Sequence, residues 1–90
     1  MAWKVELDPA ALRDLDHLDQ QVAQRIIKFL HERVALLDDP RTIGQALQGS
    51  KFGEFWKYRV GDWRMVCKIE DNRVTVLVLR IRHRSKVYRS

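Results

Sequence analysis

The sequence predicts an α+β domain in which two helices pack on one face of an antiparallel sheet. Three observations lead to this fold class. The chain opens with a short alternating segment, continues with two stretches whose apolar residues recur at helical spacing, and closes with a long region that alternates around turn signals. Elements in the order strand, helix, helix and three strands are typical of domains whose helices are grouped on one side of the sheet.

The first two elements are predicted to be a strand and a helix. Residues 2–7 alternate between apolar and polar side chains, as a half-buried strand does. Asp8 then fits the N-cap of a helix and Pro9 its first position, because proline lacks the N–H that would be unpaired there. The helix that follows has an apolar stripe formed by Ala11, Leu12, Leu15 and Leu18.

A second helix is predicted over residues 20–37. Its apolar residues recur at helical spacing, at Val22, Ile26, Ile27, Leu30, Val34 and Leu37. The stretch Asp38-Asp39-Pro40 ends this helix, because the residue before a proline avoids helical backbone angles. The two helices are expected to form a hairpin that lies on the sheet.

The rest of the chain is predicted to be a loop and three strands. Residues 40–53 contain one proline and three glycines, so a loop with one helical turn is expected there. Strands are predicted over residues 54–60, 63–70 and 73–82, and two-residue turns at Gly61-Asp62 and Asp71-Asn72 would join them into an antiparallel meander. Residues 1–90 are expected to be one domain, because a chain of this length supplies one core.

Composition excludes several classes of protein and site. The one cysteine, Cys67, cannot form an internal disulfide or a multi-cysteine zinc site, and it is expected to be a buried thiol. No apolar stretch reaches membrane-spanning length, so a soluble cytoplasmic protein is expected. No metal site is expected, because His17, His31 and His83 do not cluster with carboxylates at ligand spacing. No other cofactor is expected either.

Positive charge is concentrated in the second half of the chain. Residues 1–50 hold 6 Lys and Arg against 8 Asp and Glu, a net charge of −2, whereas residues 51–90 hold 11 against 4, a net charge of +7. Such asymmetry within one small domain indicates a face that binds a polyanion, and RNA is the leading candidate. Charge alone would also allow an anionic membrane surface or an acidic protein.

The first predicted hairpin separates apolar from basic side chains. A two-residue turn pairs Arg59 with Arg64. One face then carries Trp56, Tyr58, Val60, Trp63, Met65 and Cys67, and the other carries Lys57, Arg59, Arg64 and Lys68. Like charges directly opposite each other destabilise a sheet, so the pattern favours an anionic ligand; the alternative is a solvated face whose long side chains splay apart.

The alignment of the last strand is left open. With a two-residue second turn, strict alternation places Leu79 across from Arg64. Arg80 and Arg82 then lie on the opposite face. A three-residue turn or a β-bulge would reverse that arrangement, so counting residues does not decide whether Arg82 and His83 lie beside Arg64.

The residue types in this region suit metal-free cleavage of RNA. The 2′-hydroxyl attacks the adjacent phosphorus, which needs a base, cations for the growing charge and an acid for the departing 5′-oxygen. Arginines hold phosphate and stay charged. Lys57 is a candidate base because arginines crowd it, and His83 is a candidate acid or base because histidine ordinarily titrates near neutrality. Tyr88 would stack on a nucleobase, position a phosphate or share in proton transfer, unless it docks on the core. RNA binding without cleavage would leave the same pattern.

Two segments resemble motifs of the RelE/ParE superfamily of bacterial toxins, specifically its RelE branch. Residues 56–66 (WKYRVGDWRMV) are similar to its aromatic–basic hairpin, and residues 82–88 (RHRSKVY) are similar to its terminal motif. The helical hairpin, the Leu47-Gln48-Gly49 stretch and the length also fit. The resemblance therefore implies a RelE-like fold, cleavage of mRNA in the ribosomal A site during translation, and neutralisation by a cognate, RelB-like antitoxin.

Residue roles follow from the matched positions. The resemblance implies a catalytic set of Lys57, Arg64, Arg82, His83 and Tyr88. RNA binding is expected from Arg59, Lys68, Arg80, Arg84 and Lys86. Because arginine stands at position 59, where the best-known family pattern has lysine, the base is left to Lys57 or His83. The alternatives are a ParE-like toxin that inhibits DNA gyrase without nuclease activity and an RNA-binding module without catalysis.

Overall fold

Two helices cover one face of a five-stranded sheet in the computed structural model, which describes residues 2–47 and 55–86. The strands are β1 (Lys4–Leu7), β2 (Gln45–Ala46), β3 (Phe55–Val60), β4 (Trp63–Glu70) and β5 (Thr75–His83). The α-helices are α1 (Pro9–Asp16) and α2 (Gln20–Phe29). The sheet order is β1-β5-β4-β3-β2, in which β1 runs parallel to β5 and the other neighbours are antiparallel. The predicted α+β class, with a helical hairpin before the meander, is confirmed.

Both helices begin at an aspartate cap, of which the sequence predicts the first, at Asp8. Asp8 accepts a hydrogen bond from the Ala10 N–H, and Pro9 occupies the first turn of α1. Asp19 accepts a hydrogen bond from the Gln21 N–H at the start of α2. These carboxylates satisfy amides that have no partner within the helix, which is why the chain starts helices at these points.

The second predicted helix changes its winding part-way along. After α2 the chain continues as a π-helical turn over Leu30–Val34, in which the Ala35 N–H reaches back five residues to the Leu30 carbonyl. Leu30 and Val34 are both fully buried. The wider turn keeps both side chains in the core, and the Ala35 carbonyl accepts a hydrogen bond from the Trp3 N–H ahead of β1.

The core lies between the helices and the face of the sheet that the sequence predicts to be apolar. Strand residues Tyr58, Met65, Cys67, Ile69, Val76, Val78 and Ile81 pack there against Ala11, Ile26, Leu30 and Val34. Cys67 is fully buried, which confirms the expectation of a buried thiol, and burial raises its pKa. Gly61 adopts φ +57° in the two-residue turn between β3 and β4, a conformation that favours glycine.

A short edge strand replaces part of the loop expected over residues 40–53. A 3₁₀ turn, Pro40–Ile43, leads into β2, which pairs with Trp56 and Lys57 of β3. Gly44 allows this approach, because a Cβ there would lie 3.1 Å from Cε1 of Tyr58. Two residues are too few to show an alternating pattern, so the sequence does not indicate β2. The rest of the expected loop, residues 48–54, lies outside the described residues.

The turn between β4 and β5 is longer than the predicted two residues. Glu70 pairs with Thr75, and the chain between them forms a 3₁₀ turn, Asp71–Arg73, that ends at Val74 in the left-handed region with φ 49°. The Val74 N–H donates to the Asp71 carbonyl, which holds this unusual backbone conformation for a β-branched residue. The prediction of a two-residue turn here is wrong.

None of the helices within residues 2–47 and 55–86 has the length and apolar character needed to cross a lipid bilayer.

Leu30→Ala is expected to lower the free energy of unfolding by about 2–5 kcal/mol, because it opens a cavity in a fully buried site. Leu36→Ala is the matched control: Leu36 is 66% exposed, and its truncation should change stability by less than about 0.5 kcal/mol. Urea denaturation followed by circular dichroism measures both. Equal effects of the two substitutions would show that Leu30 is not part of the stabilising core.

Candidate functional site

Basic side chains project from the face of the sheet opposite the helices, and we call five of them the cationic face: Lys57, Arg59, Arg64, Lys68 and Arg82. Arg59 pairs with Arg64 across β3 and β4, as predicted, and Arg64 pairs with Arg82 across β4 and β5. Directly paired residues of an antiparallel sheet project to the same side. Three arginines therefore form one row across three adjacent strands.

A β-bulge brings Arg82 into that row. In β5, Arg80 pairs with Val66 and Val78 pairs with Cys67, so Leu79 is an extra residue without a partner in β4. Of the arrangements that the sequence left open, the structure therefore has the one with a β-bulge, in which Arg82 and not Leu79 lies across from Arg64. The longer β4–β5 turn adds two residues and leaves the alternation unchanged, so the bulge alone reverses the faces of the residues beyond it.

Within residues 2–47 and 55–86, the cationic face makes no ion pair with a carboxylate. Arg64 Nη1 donates to the carbonyls of Gly61 (3.0 Å) and Trp63 (3.1 Å), which holds its guanidinium near the hairpin turn. Arg82 Nε is buried and has no hydrogen-bond partner there. Paired like charges and an unpaired buried donor are both unfavourable, and an anion would relieve both.

A pocket of about 330 Å³ opens beside the cationic face. Its lining combines cations with apolar and amide groups: Ile43, Gln45, Lys57, Tyr58, Arg59 and Arg64. The Tyr58 hydroxyl donates to the Pro40 carbonyl, so this ring is held in place. Burial raises the pKa of Tyr58, which keeps the phenol protonated and able to donate.

His83 lies on the other side of β5 from Arg82. It pairs with Trp63, and the two rings meet edge to face with centroids 5.2 Å apart. Its Nδ1 lies 2.9 Å from Oγ of Ser85. The bulge that brings Arg82 to the cationic face thus directs His83 away from it, a placement that counting residues had left open.

The remaining predicted residues lie at the margins. Arg80 binds the Asp14 carboxylate through Nε (2.9 Å) and Nη2 (3.1 Å), so its guanidinium is engaged with α1. Arg84 Nε lies 3.5 Å from Oδ1 of Asp62, and Lys86 is exposed in the short 3₁₀ turn that follows β5. The prediction for Tyr88 falls outside the described residues.

Asp14 holds the strand beside the bulge. β1 pairs with β5 only as far as Val78, and beyond that point the Ile81 N–H donates to Oδ2 of Asp14 at 2.9 Å. Burial of the Asp14 carboxyl raises its pKa, but hydrogen bonds from Arg80 and the Ile81 N–H, with the charges of Arg80 and Arg82, outweigh burial and hold the pKa below its usual value. The carboxylate of Asp14 on α1 therefore fixes the position of the part of β5 that carries Arg82.

This arrangement can bind a phosphodiester and assist its cleavage. The negative charge of a pentavalent phosphorane can be neutralised by Arg59, Arg64 and Arg82. Lys57 lies on the same face, two residues from Arg59. Across residues 2–47 and 55–86 no three His, Cys, Asp or Glu side chains are grouped to bind a metal ion. Sequence reasoning missed Asp14, Ile43 and Gln45, because each reaches the site through tertiary contacts that leave no local pattern.

A family model described as the ParE toxin of the type II toxin–antitoxin system parDE matches residues 5–88. The chain belongs to the RelE/ParE superfamily of type II toxins. Among curated relatives, toxin RelE of Mycobacterium tuberculosis is 31% identical over 97% of this chain and 87% of its own length. Toxin RelG of the same organism is 29% identical over 99% of both chains. The RelE resemblance drawn from the two sequence motifs is confirmed.

Solved structures show the same fold for this toxin. The toxin–antitoxin complex RelBE2 of Mycobacterium tuberculosis contains a chain that matches with a TM-score of 0.82 at 24% identity, covering 96% of this chain and 95% of that one. The isolated RelE toxin of E. coli matches with a TM-score of 0.71 at 26% identity, covering 99% and 88% respectively. The protein is thus a type II toxin with a RelE-like fold.

Asp14→Asn is expected to lower the free energy of unfolding by about 1–2 kcal/mol at neutral pH, because it weakens a partly exposed charge-assisted contact. The pKa of Asp14 is lowered by folding, so its contribution is present above the unfolded pKa and is lost as pH falls through the folded pKa. The difference between wild type and variant should therefore shrink below about pH 4.

Asp16→Asn is the matched control for this prediction, because Asp16 is an exposed neighbour on α1. It removes the same charge and should leave stability nearly unchanged. Urea titrations at a series of pH values measure all three proteins. A wild-type to Asp14→Asn difference that stays constant down to acid pH would contradict the role of the ionised carboxylate.

Proposed function

We propose that this toxin is an endoribonuclease that cuts mRNA in the ribosomal A site and so inhibits translation. The observation that carries the proposal is the row of Arg59, Arg64 and Arg82, which forms no ion pair with a carboxylate among the described residues. Like charges paired across two strand boundaries weaken the sheet, and a phosphodiester with its developing negative charge would turn that arrangement into an attraction.

The proposed reaction needs no metal. The 2′-oxygen attacks the neighbouring phosphorus while Lys57, in its neutral form, takes the 2′-hydroxyl proton. Arg64, in the centre of the row, and its neighbours stabilise the charge on the phosphorane oxygens. The bond from phosphorus to the 5′-oxygen then breaks, leaving a 2′,3′-cyclic phosphate, and an acid protonates the 5′-oxygen. Tyr88 is the proposed acid or stacking residue.

Geometry divides the other predicted residues into two groups. Lys68, Arg84 and Lys86 extend positive charge away from the row and are proposed to contact flanking RNA phosphates. Arg80 is engaged with Asp14, and His83 packs on Trp63, so we assign both to positioning the end of β5 and not to RNA binding or proton transfer.

We also propose a cognate, RelB-like antitoxin that is acidic or amphipathic. The related Mycobacterium tuberculosis and E. coli toxins were solved as RelBE complexes. The +7 half of this chain favours an acidic partner, and Leu12 and Leu36, which are 47% and 66% exposed, offer apolar anchors. Toxin, ribosome, mRNA and antitoxin would meet in the cytoplasm.

One observation favours a second function. The matching family model is named for ParE, and the same fold can serve inhibition of DNA gyrase without nuclease chemistry. The density of basic residues on the sheet exceeds what a protein contact needs, which favours RNA. An RNA-binding module without catalysis would also use these cations.

Arg64→Ala is expected to reduce mRNA cutting at least about 100-fold, because it removes the central donor to the phosphorane. A translation reaction programmed with one defined mRNA, read by primer extension, measures the cuts. Arg13→Ala is the matched control: it removes an exposed arginine from α1 and should cut like wild type.

The outcomes of this experiment separate the candidate functions. Cuts within codons that require ribosomes and disappear in Arg64→Ala would support the proposal. Intact mRNA with a toxic protein would favour gyrase inhibition, and cutting of naked RNA would indicate a nuclease that acts without the ribosome.

Antitoxin association should slow as salt rises from about 10 mM to 1 M, because the Debye length shrinks from about 30 Å to 3 Å and charge steering is lost. Dissociation should change much less, since apolar contacts hold the formed complex. Stopped-flow mixing with the purified antitoxin measures both rates. An association rate that is insensitive to salt would argue against recognition of the basic half of the toxin by an acidic partner.

A further inference from the structure

We propose that the pocket beside the cationic face binds the nucleobase next to the phosphate that is cut, and that Gln45 reads the edge of that base. This inference rests on the proposed nuclease function and adds to it a residue that selects the site of cutting. Gln45 lies on β2, directly opposite Lys57, so the two side chains project to the same face of the sheet. An amide therefore stands next to the proposed base of the reaction.

The pocket exists because β2 is short. Only Gln45 and Ala46 pair with β3, so the β3 edge from Tyr58 to Val60 has no partner in β2. The chain leaves that edge through Gly44, whose missing side chain lets the backbone pass close to the Tyr58 ring. The gap between the departing chain and the edge of β3 is the pocket.

The walls of the pocket differ in chemistry from one side to the other. Lys57, Arg59 and Arg64 supply positive charge on the side of the arginine row, and Ile43 supplies an apolar surface. A nucleotide has the complementary division, with an anionic phosphate and an apolar base face. The volume of about 330 Å³ is at the small end of ligand sites, which suits one nucleotide.

Gln45 has the properties of a recognition group. Its side chain is exposed and forms no hydrogen bond with any residue in the described ranges 2–47 and 55–86. A free amide offers a donor next to an acceptor, whereas binding of a simple anion would need only the cations. Adenine presents the matching pair on its N6 and N7 edge, so adenine is the expected preference.

The test compares cutting by wild type, Gln45→Ala and Gln24→Ala on ribosomes programmed with mRNA carrying a randomised codon. Gln24 is an exposed glutamine on α2, away from the sheet, and serves as the matched control. Gln45→Ala should keep total cutting within about threefold of wild type and lose about tenfold of the base preference at one position, the effect of one bidentate amide contact. Gln24→Ala should reproduce the wild-type distribution.

Failure of the role of Gln45 and failure of the nuclease function would give different results. If Gln45→Ala and Gln24→Ala give the same distribution as active wild type, the role of Gln45 is overturned while the nuclease function stands. If wild type does not cut at all, the nuclease function fails, and an NMR titration then tests whether the pocket binds a nucleotide. Adenosine 3′-monophosphate should shift the Gln45 side-chain amide signals and inorganic phosphate should not; no shift with the nucleotide would overturn the inference.

Discussion

The contact of Asp14 with the end of β5 is the interaction on which the arrangement of the basic residues depends. One carboxylate of α1 binds both the Ile81 N–H and the Arg80 guanidinium, immediately beyond the unpaired Leu79. The bulge reverses the faces of all later strand residues, so it brings Arg82 beside Arg64 and sends His83 towards Trp63. Without that extra residue, Arg82 would lie on the opposite side of the sheet from Arg59 and Arg64.

The two faces of the sheet divide stability from function. The helix-covered face buries Tyr58, Met65, Val76 and Ile81 and supplies the hydrophobic stabilisation of the fold. The other face carries the arginine row, which lowers stability and is tolerated because the core compensates for it. A pre-arranged group of cations needs little rearrangement when an anion binds. An enzyme whose cations repel one another in the free state can therefore stabilise a developing negative charge more strongly.

Local chemistry predicted much of this molecule. Asp8 and Gly61 mark element boundaries that the structure reproduces, because capping and turn formation act within a few residues. The β3–β4 pairing of Arg59 with Arg64 was predictable for the same reason: a two-residue turn leaves one register. The length of the β4–β5 turn was not predictable, because Val74 occupies a left-handed conformation that its residue type disfavours.

The sequence by itself determined the α+β class, the apolar and basic faces of the first hairpin, and the toxin superfamily, since these depend on periodicity and on motifs of adjacent residues. Only the tertiary structure decided which face Arg82 and His83 occupy and that Gln45 stands beside Lys57. Both depend on contacts between distant segments, an α1 carboxylate with β5 and a two-residue strand with β3, whose energies are spread over the fold and leave no periodic pattern in the chain.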